Sequence, residues 1–516
     1  MRPRILITII GLIFIESCNL LKLFIIKTHI ISKLIIYEKI CKGEIMKMYI
    51  LNKLQKLRDD NSVSFHVPGH KIGRIFEKLG YKDILEKIYT LDTTEIDGTD
   101  NLHNAKEIIK DSQDKASKVF NSDKTIYLVN GTTCGIEAAI MAVCSPKSKI
   151  IMNRDCHQSV INACILGDIE PIYIQSKICK RTNILLGVSY EDVKLVIDDN
   201  LDAKAIVLTY PTYYGRTYDL KSICDYAHSK NMIVIVDEAH GAHLQLSDKL
   251  PDSAINQGAD IIIQSTHKTL PSFTQSSMMH IKGNRVDENK IAAMLRFLES
   301  SSPSYMLLMS LELAVDIYDK YGAQLMEDLL YNIENFKSKF KNNENIIIDN
   351  NMDKTKIFIS LKELGLTGYE LDSILREEYK IQVELSNYYG VLLICTVGNN
   401  KEDFIKLEKA LENLLLKLNK KKILQDTNYP ESIPEKVLNP RDAFYSDKKS
   451  VKLEDSIGKI SGEYIIPYPP GISLILPGEI ITQEIITYIQ QGVKSGMIVS
   501  GIKDDNLEYI DVIDIN

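Results

Sequence analysis

None of the nine cysteines forms a C-x-x-C pair, and none has the spacing of a zinc ligand set. That excludes the zinc ribbon, the zinc finger and the dithiol redox motif. What remains reads as reduced thiols of a cytosolic protein, several of them buried. Basic residues are not in excess either. Lys and Arg number 62 against 69 Asp and Glu, a formal net charge of −7, whereas a nucleic-acid binder carries a basic footprint. No internal repeat or low-complexity tract is present. No apolar run reaches the ~20 residues of a normal membrane-spanning helix, so no stable membrane association is expected. The chain that is left has 516 residues, 45% hydrophobic and 25% charged, ordinary for a soluble protein of several packed units.

The first 45 residues differ from the rest. An apolar run over residues 5–15, behind Arg2 and Arg4, has the length of a signal-peptide core, but Glu16 sits badly in the small-residue stretch that processing prefers. Lys42-Gly43-Glu44-Ile45-Met46 is what a purine-rich ribosome-binding site and a start codon would encode if translated. The expectation is a native start at Met46 or Met48, with residues 1–45 a gene-model extension and secretion the rival reading.

From about residue 115 to 285, short β-rich runs (126–129, 149–152, 169–174, 205–209, 233–236 and 261–264) alternate with helical stretches such as 135–144 and 220–230. This alternation implies an α/β domain around a mostly parallel sheet, with ligands beyond the carboxyl ends of the strands. Residues 304–340 read as one long helix or two, and 346–416 as a small α+β domain. The expected division is a leader (1–45), an N-terminal arm with active-site loops (46–115), a large domain (116–300), a long helix with the small domain (301–420) and a C-terminal α+β domain (431–516).

Four polar features fall at strand ends. Asn130-Gly131-Thr132-Thr133-Cys134-Gly135 offers glycines, hydroxyls and a helix N-terminus to an anion. No Gly-Lys-Ser/Thr follows, so it is not a Walker loop, and alone it reads equally as a capped helix. Asn153-Arg154-Asp155-Cys156-His157 places an imidazole where it can stack on an aromatic ligand or move protons, though alone it reads as structural. Asp237-Glu238-Ala239-His240-Gly241 places a carboxylate that could keep a pyridinium nitrogen protonated. A metal ligand or a helix cap is the alternative, and no second carboxylate at metal-like spacing supports the metal. Ser265-Thr266-His267-Lys268 follows the apolar strand 261–264. Burial there would lower the lysine pKa towards a nucleophilic amine able to form a Schiff base with a carbonyl. Taken singly that tetrapeptide could be a surface loop; taken in order, the four match what one cofactor would require.

These residues resemble the fold-type I pyridoxal-phosphate enzymes and, within them, the Orn/Lys/Arg decarboxylase family in its short form without an N-terminal wing domain. The likeness also rests on Phe65-His66-Val67-Pro68-Gly69-His70-Lys71, Asp97-Gly98-Thr99-Asp100-Asn101-Leu102-His103, Gln275-Ser276-Ser277, Ser301-Ser302-Pro303-Ser304-Tyr305, Tyr468-Pro469-Pro470-Gly471 and Pro477-Gly478-Glu479. The resemblance implies a seven-stranded, mostly parallel sheet flanked by helices, with pyridoxal 5′-phosphate as cofactor. It implies Lys268 as the Schiff-base lysine, Asp237 at the ring nitrogen and His157 stacked on the ring. Thr132, Thr133, Ser265 and His267 would hold the phosphate, with His240 a further cofactor contact. Ser301, where longer relatives carry threonine, would reach the phosphate of a neighbouring subunit, making a homodimer or higher homo-oligomer with shared sites. The reaction implied is decarboxylation of a basic amino acid, arginine before lysine and ornithine, feeding polyamine biosynthesis in the cytoplasm. His70, Asp97, Asp100 and Glu479 are the candidates for the substrate, the acidic ones for its distal cation. An aminotransferase or aldolase of the same fold is the rival, with Arg296 or Arg441 as a carboxylate clamp; a non-catalytic cofactor-binding regulator is the second.

Overall fold

The computed structural model describes residues 49–418, 424, 429–430, 432–468 and 471–514. The proposed leader therefore lies outside the described residues, as do Pro469, Pro470 and most of 419–428. The chain divides into two compact units, Met1–Ser62 and Val63–Asn516. Of the first, the described part is essentially the helix Tyr49–Asp59.

The second unit is built on a seven-stranded sheet of β1 (Lys124–Leu128), β2 (Lys149–Asn153), β3 (Glu170–Ile174), β4 (Ala205–Thr209), β5 (Ile233–Asp237), β6 (Ile261–Gln264) and β7 (Ser277–Ile281), in the order β1-β7-β6-β5-β4-β2-β3. The β3-β2-β4-β5-β6 ladder is parallel throughout, and β7 runs antiparallel to both its neighbours. Before, between and after the strands lie helices α1 (Ile108–Val119), α2 (Gly131–Val143), α3 (Gln158–Gly167), α4 (Tyr190–Asp199), α5 (Leu220–Ser229) and α6 (Glu288–Leu298).

Period-2 geometry explains the near-continuous apolar strands, because both faces of the sheet are covered. Ile206, Leu208, Val234, Val236 and Ile262 face one core with α4, α5 and the long helix α7 (Tyr305–Phe340). Ala205, Val207, Ile235, Ile261 and Ile263 face the other, with α2, α3 and α6. α7 is a single helix, and the Ser304 hydroxyl caps it by accepting from the Leu307 amide.

Beyond α7, the strands β8 (Lys356–Ser360) and β9 (Val391–Ile394) form the centre of a four-stranded antiparallel sheet, packed with helices α8 (Gly368–Glu377) and α9 (Lys401–Lys417). The arm Val63–Phe65 pairs in parallel with Ile381–Val383, and Arg74 grips Asp403 through two 2.8 Å bonds. The C-terminal segment has its own apolar core around α10 (Gln483–Lys494).

Gly135 sets the distance between α2 and the sheet. A Cβ there would lie 2.5 Å from Leu128 Cδ1 and 3.0 Å from Ile263 Cγ2. Gly135→Val should therefore overpack this contact and cost about 1–3 kcal/mol, measured as a lower midpoint in chemical denaturation.

Candidate active site

The six strands β1 to β6 all end at one edge of the sheet, and the antiparallel β7 begins there. The loops at that edge enclose a cavity of about 360 Å³. β1 delivers Gly131, Thr132 and Thr133; β2 delivers Asp155 and His157; β4 delivers Thr209, Thr212 and Tyr213. Asp237 and His240 come from β5, Ser265, His267 and Lys268 from β6, and Thr274 and Gln275 from the approach to β7. Gly471 and Ile472 of the C-terminal segment complete the wall.

At one end lies a cluster of hydroxyls. Thr132 Oγ1 is 2.6 Å from Ser265 Oγ and 2.9 Å from Ser277 Oγ. They sit at the N-terminus of α2, where Gly131 has φ +81°, a conformation that suits glycine. Helix start and hydroxyls together favour an anion such as phosphate. His267 stands beside them, its Nδ1–H donating to the Ser276 carbonyl at 2.9 Å. Burial, then the charge of Lys268, pushes the imidazole pKa down to about 4 despite that bond.

Lys268 lies half-buried in the wall, its Nζ 3.1 Å from His240 Nε2. Burial lowers its pKa, and Lys356 adds to the effect, while the carboxylates of Asp237 and Glu384 oppose it. The outcome is an amine more often free than an ordinary lysine, as attack on a carbonyl requires. His240 is buried and packs against the Tyr213 ring, the two centroids 4.3 Å apart and the planes tilted by 51°. Burial and the charges of Lys268 and Lys356 hold it neutral, and its Nδ1 has no hydrogen-bond partner among the described residues.

Asp237 is 3% exposed and accepts only the Ala239 amide, at 3.0 Å, among the described residues. His157 is exposed to the cavity and caps α3, its Nδ1 accepting from the Ser159 amide at 3.2 Å. That bond places the neutral ring's proton on Nε2. Burial and Lys268 lower its pKa, and Asp237 works against them.

These residues fit pyridoxal phosphate: hydroxyl donors at a helix start for the phosphate, a buried carboxylate for the ring nitrogen, an imidazole wall and one lysine. Two other lysines are fully buried but face elsewhere. Lys71 donates to the carbonyls of His66 (2.6 Å) and Ile394 (3.0 Å), and Lys356 lies 3.4 Å from Asp353. Neither lines the cavity.

Other residues singled out in the sequence lie away from the cavity. His70 accepts the Gly73 amide through Nδ1 and packs against Phe76 and Phe273. Its loop instead buttresses the lysine turn, the Gly69 amide donating to the His267 carbonyl at 2.7 Å. Asp97 is exposed, and Asp100 accepts the amides of Lys106, Glu107 and Ile109 at the start of α1. Ser301 is exposed in the loop before α7 and does not line the cavity of its own chain.

Glu479 is 1% exposed and paired with Arg154 at 2.9 Å. Arg154 also donates to the carbonyls of Ser473 and Leu474, so this ion pair docks the C-terminal segment beside the cavity. Sequence reasoning passed over Ser277, Asp155, Tyr213, Leu185 and Ile472. Ser277 and Asp155 stand inside motifs already singled out, so their signal was present; Leu185 and Ile472 carry none.

Among solved structures, the lysine decarboxylase of Francisella novicida is similar with a TM-score of 0.72 at 23% identity, over 87% of this chain and 78% of that one. The architecture is that of the fold-type I pyridoxal-phosphate enzymes. Residues 50–360 match the major domain of the Orn/Lys/Arg decarboxylases and residues 422–505 their C-terminal domain. The arginine decarboxylase of Bacillus subtilis (strain 168) is 37% identical over 473 residues, 89% of this chain and 96% of that protein. That of Bacillus anthracis is 35% identical, over 88% and 94%. This chain belongs to the Orn/Lys/Arg decarboxylase family.

Removing one partner of a buried ion pair leaves the other uncompensated. Glu479→Ala should cost roughly 3–5 kcal/mol of stability and open the C-terminal segment near residues 471–479 to limited proteolysis, mapped by mass spectrometry.

Proposed function

We propose that this protein removes the α-carboxylate of a basic amino acid as carbon dioxide, arginine before lysine and ornithine, using pyridoxal phosphate. The supporting relatives are the curated arginine decarboxylases, matched over nearly their whole length. The observation that carries the reaction type is a cavity lining without arginine among the described residues, in which Lys268 is the one cation carried by an aliphatic chain. An aminotransferase would hold the substrate carboxylate in an arginine clamp. Arg296 and Arg441 serve backbone carbonyls instead, of His103 and of Ile165 and Leu166. A carboxylate left without a cation in this cavity is better placed to leave as neutral carbon dioxide.

In this reading Thr132, Thr133, Ser265 and His267 hold the phosphate, with Ser277 behind them. The bound cofactor supplies a carbonyl for amine exchange and a protonated ring that accepts electrons from the breaking bond. Asp237 keeps the ring-nitrogen proton in place through its charge. His157 forms the wall over the ring. Lys268 Nζ would hold the cofactor's carbonyl carbon and, when free, would take or give a proton at the substrate. Lys268 Nζ and His157 Nε2 are the two groups that can hand a proton to the substrate Cα. His240 accepts from Lys268 Nζ and orients it. Ser301 serves a neighbouring subunit, so the working unit is a homodimer or larger. No helix among the described residues is long and apolar enough to cross a membrane, and a cytoplasmic setting suits polyamine synthesis.

Incubation with arginine, lysine and ornithine should release carbon dioxide fastest from arginine, and Lys268→Ala should abolish release. Transamination without release would overturn the proposal.

A further inference from the structure

Two carboxylates line the cavity, Asp237 and Asp155. Asp237 belongs to the reacting end, since its charge bears on both Lys268 and His157. Asp155 is placed differently. Its Oδ1 accepts from Asn153 Nδ2 at 2.9 Å and from the Ser176 hydroxyl, and Oδ2 has no hydrogen bond among the described residues. It is half-buried, and it also borders a narrow cleft of about 30 Å³ that adjoins the main cavity.

Leu185 and Ile472 line both spaces as well. The shared boundary is thus a carboxylate flanked by two aliphatic side chains, the complement of a methylene stem that ends in a cation. Arg154 borders the cleft too, but its guanidinium is committed to Glu479 and to two backbone carbonyls. Asp155 therefore keeps an acceptor that no neighbouring side chain occupies.

We infer that Asp155 takes the distal cation of the substrate, guanidinium or ammonium, while Leu185 and Ile472 pack against its methylene stem. The inference rests on the cavity being a basic amino-acid site, and it makes Asp155 a specificity residue, apart from the reacting groups. It also gives the C-terminal segment a part in substrate choice, because the Arg154–Glu479 pair holds Ile472 in place.

The test uses the holoprotein and two amines that have no carboxylate to lose, 4-guanidinobutylamine and the neutral 4-ureidobutylamine, titrated by calorimetry. The unaltered protein should prefer the guanidino compound by about tenfold to a hundredfold, the range of a hydrogen bond to a charged group. Asp155→Asn keeps the Oδ1 acceptor and should erase that preference, with the affinity for the ureido compound and the visible absorbance of the cofactor retained. Asp155→Ser is the second variant and should behave alike. A preference that survives in both variants, or that is absent from the unaltered protein, overturns the inference. Carbon dioxide release by the same preparations separates the two readings. Release that ignores Asp155 removes the role of Asp155 alone. A preference that depends on Asp155, without release from any basic amino acid, supports the cation site and removes the proposed reaction.

Discussion

An amine set into a half-buried wall loses the hydration that keeps it charged, and an opposing carboxylate restores part of that charge. Lys268 is held between these two effects. Burial and Lys356 push its pKa down, while Asp237 and Glu384 resist. The balance depends on strand order, because β5 and β6 are adjacent and parallel and so bring Asp237 and Lys268 to the same edge. The other cavity residues follow the same constraint. Five of the six strands that end at this edge contribute their next few residues to one space, and the hydroxyl cluster closes because β7 starts where β1 and β6 end.

Neutrality of the imidazoles follows from the same burial. His240 is held neutral between Lys268 and the Tyr213 ring, and His267 carries its proton on Nδ1 towards Ser276. A neutral His267 offers a bare Nε2, so an arriving phosphate would draw a second proton onto that ring. The anion site is thus built from neutral hydroxyls and a helix start, with Lys268 as the nearby charge. The Phe65 to Lys71 motif acts one layer out: Gly69 bonds the His267 carbonyl, and Lys71 ties the loop to β9.

Much of this was legible in the sequence because it is local. An apolar run followed by a polar cluster marks a strand and the loop at its carboxyl end, and six of the seven strands and the set Thr132, His157, Asp237, His240, Ser265, His267 and Lys268 follow from that rule. The seventh strand, Ser277–Ile281, lacks a distinct alternation, since it is buried on both faces between β1 and β6. Carboxylates were harder, because a sequence does not say what a side chain meets. Glu479 meets Arg154, and Asp100 meets the amides at the start of α1, so neither faces the cavity of its own chain. Asp155, unremarked between Arg154 and Cys156, does line it. Ser301 shows the other limit: it is exposed and off the cavity of its own chain, and a single chain carries no record of what a neighbouring subunit would meet.

The central claim is that one lysine, Lys268, carries the cofactor in this cavity. Reduction of the holoprotein with borohydride, followed by proteolysis and mass spectrometry, tests it directly. A pyridoxyl-phosphate adduct is expected on the peptide containing Lys268, and its loss in Lys268→Ala. An adduct on Lys71 or Lys356, or none on any lysine, would contradict it.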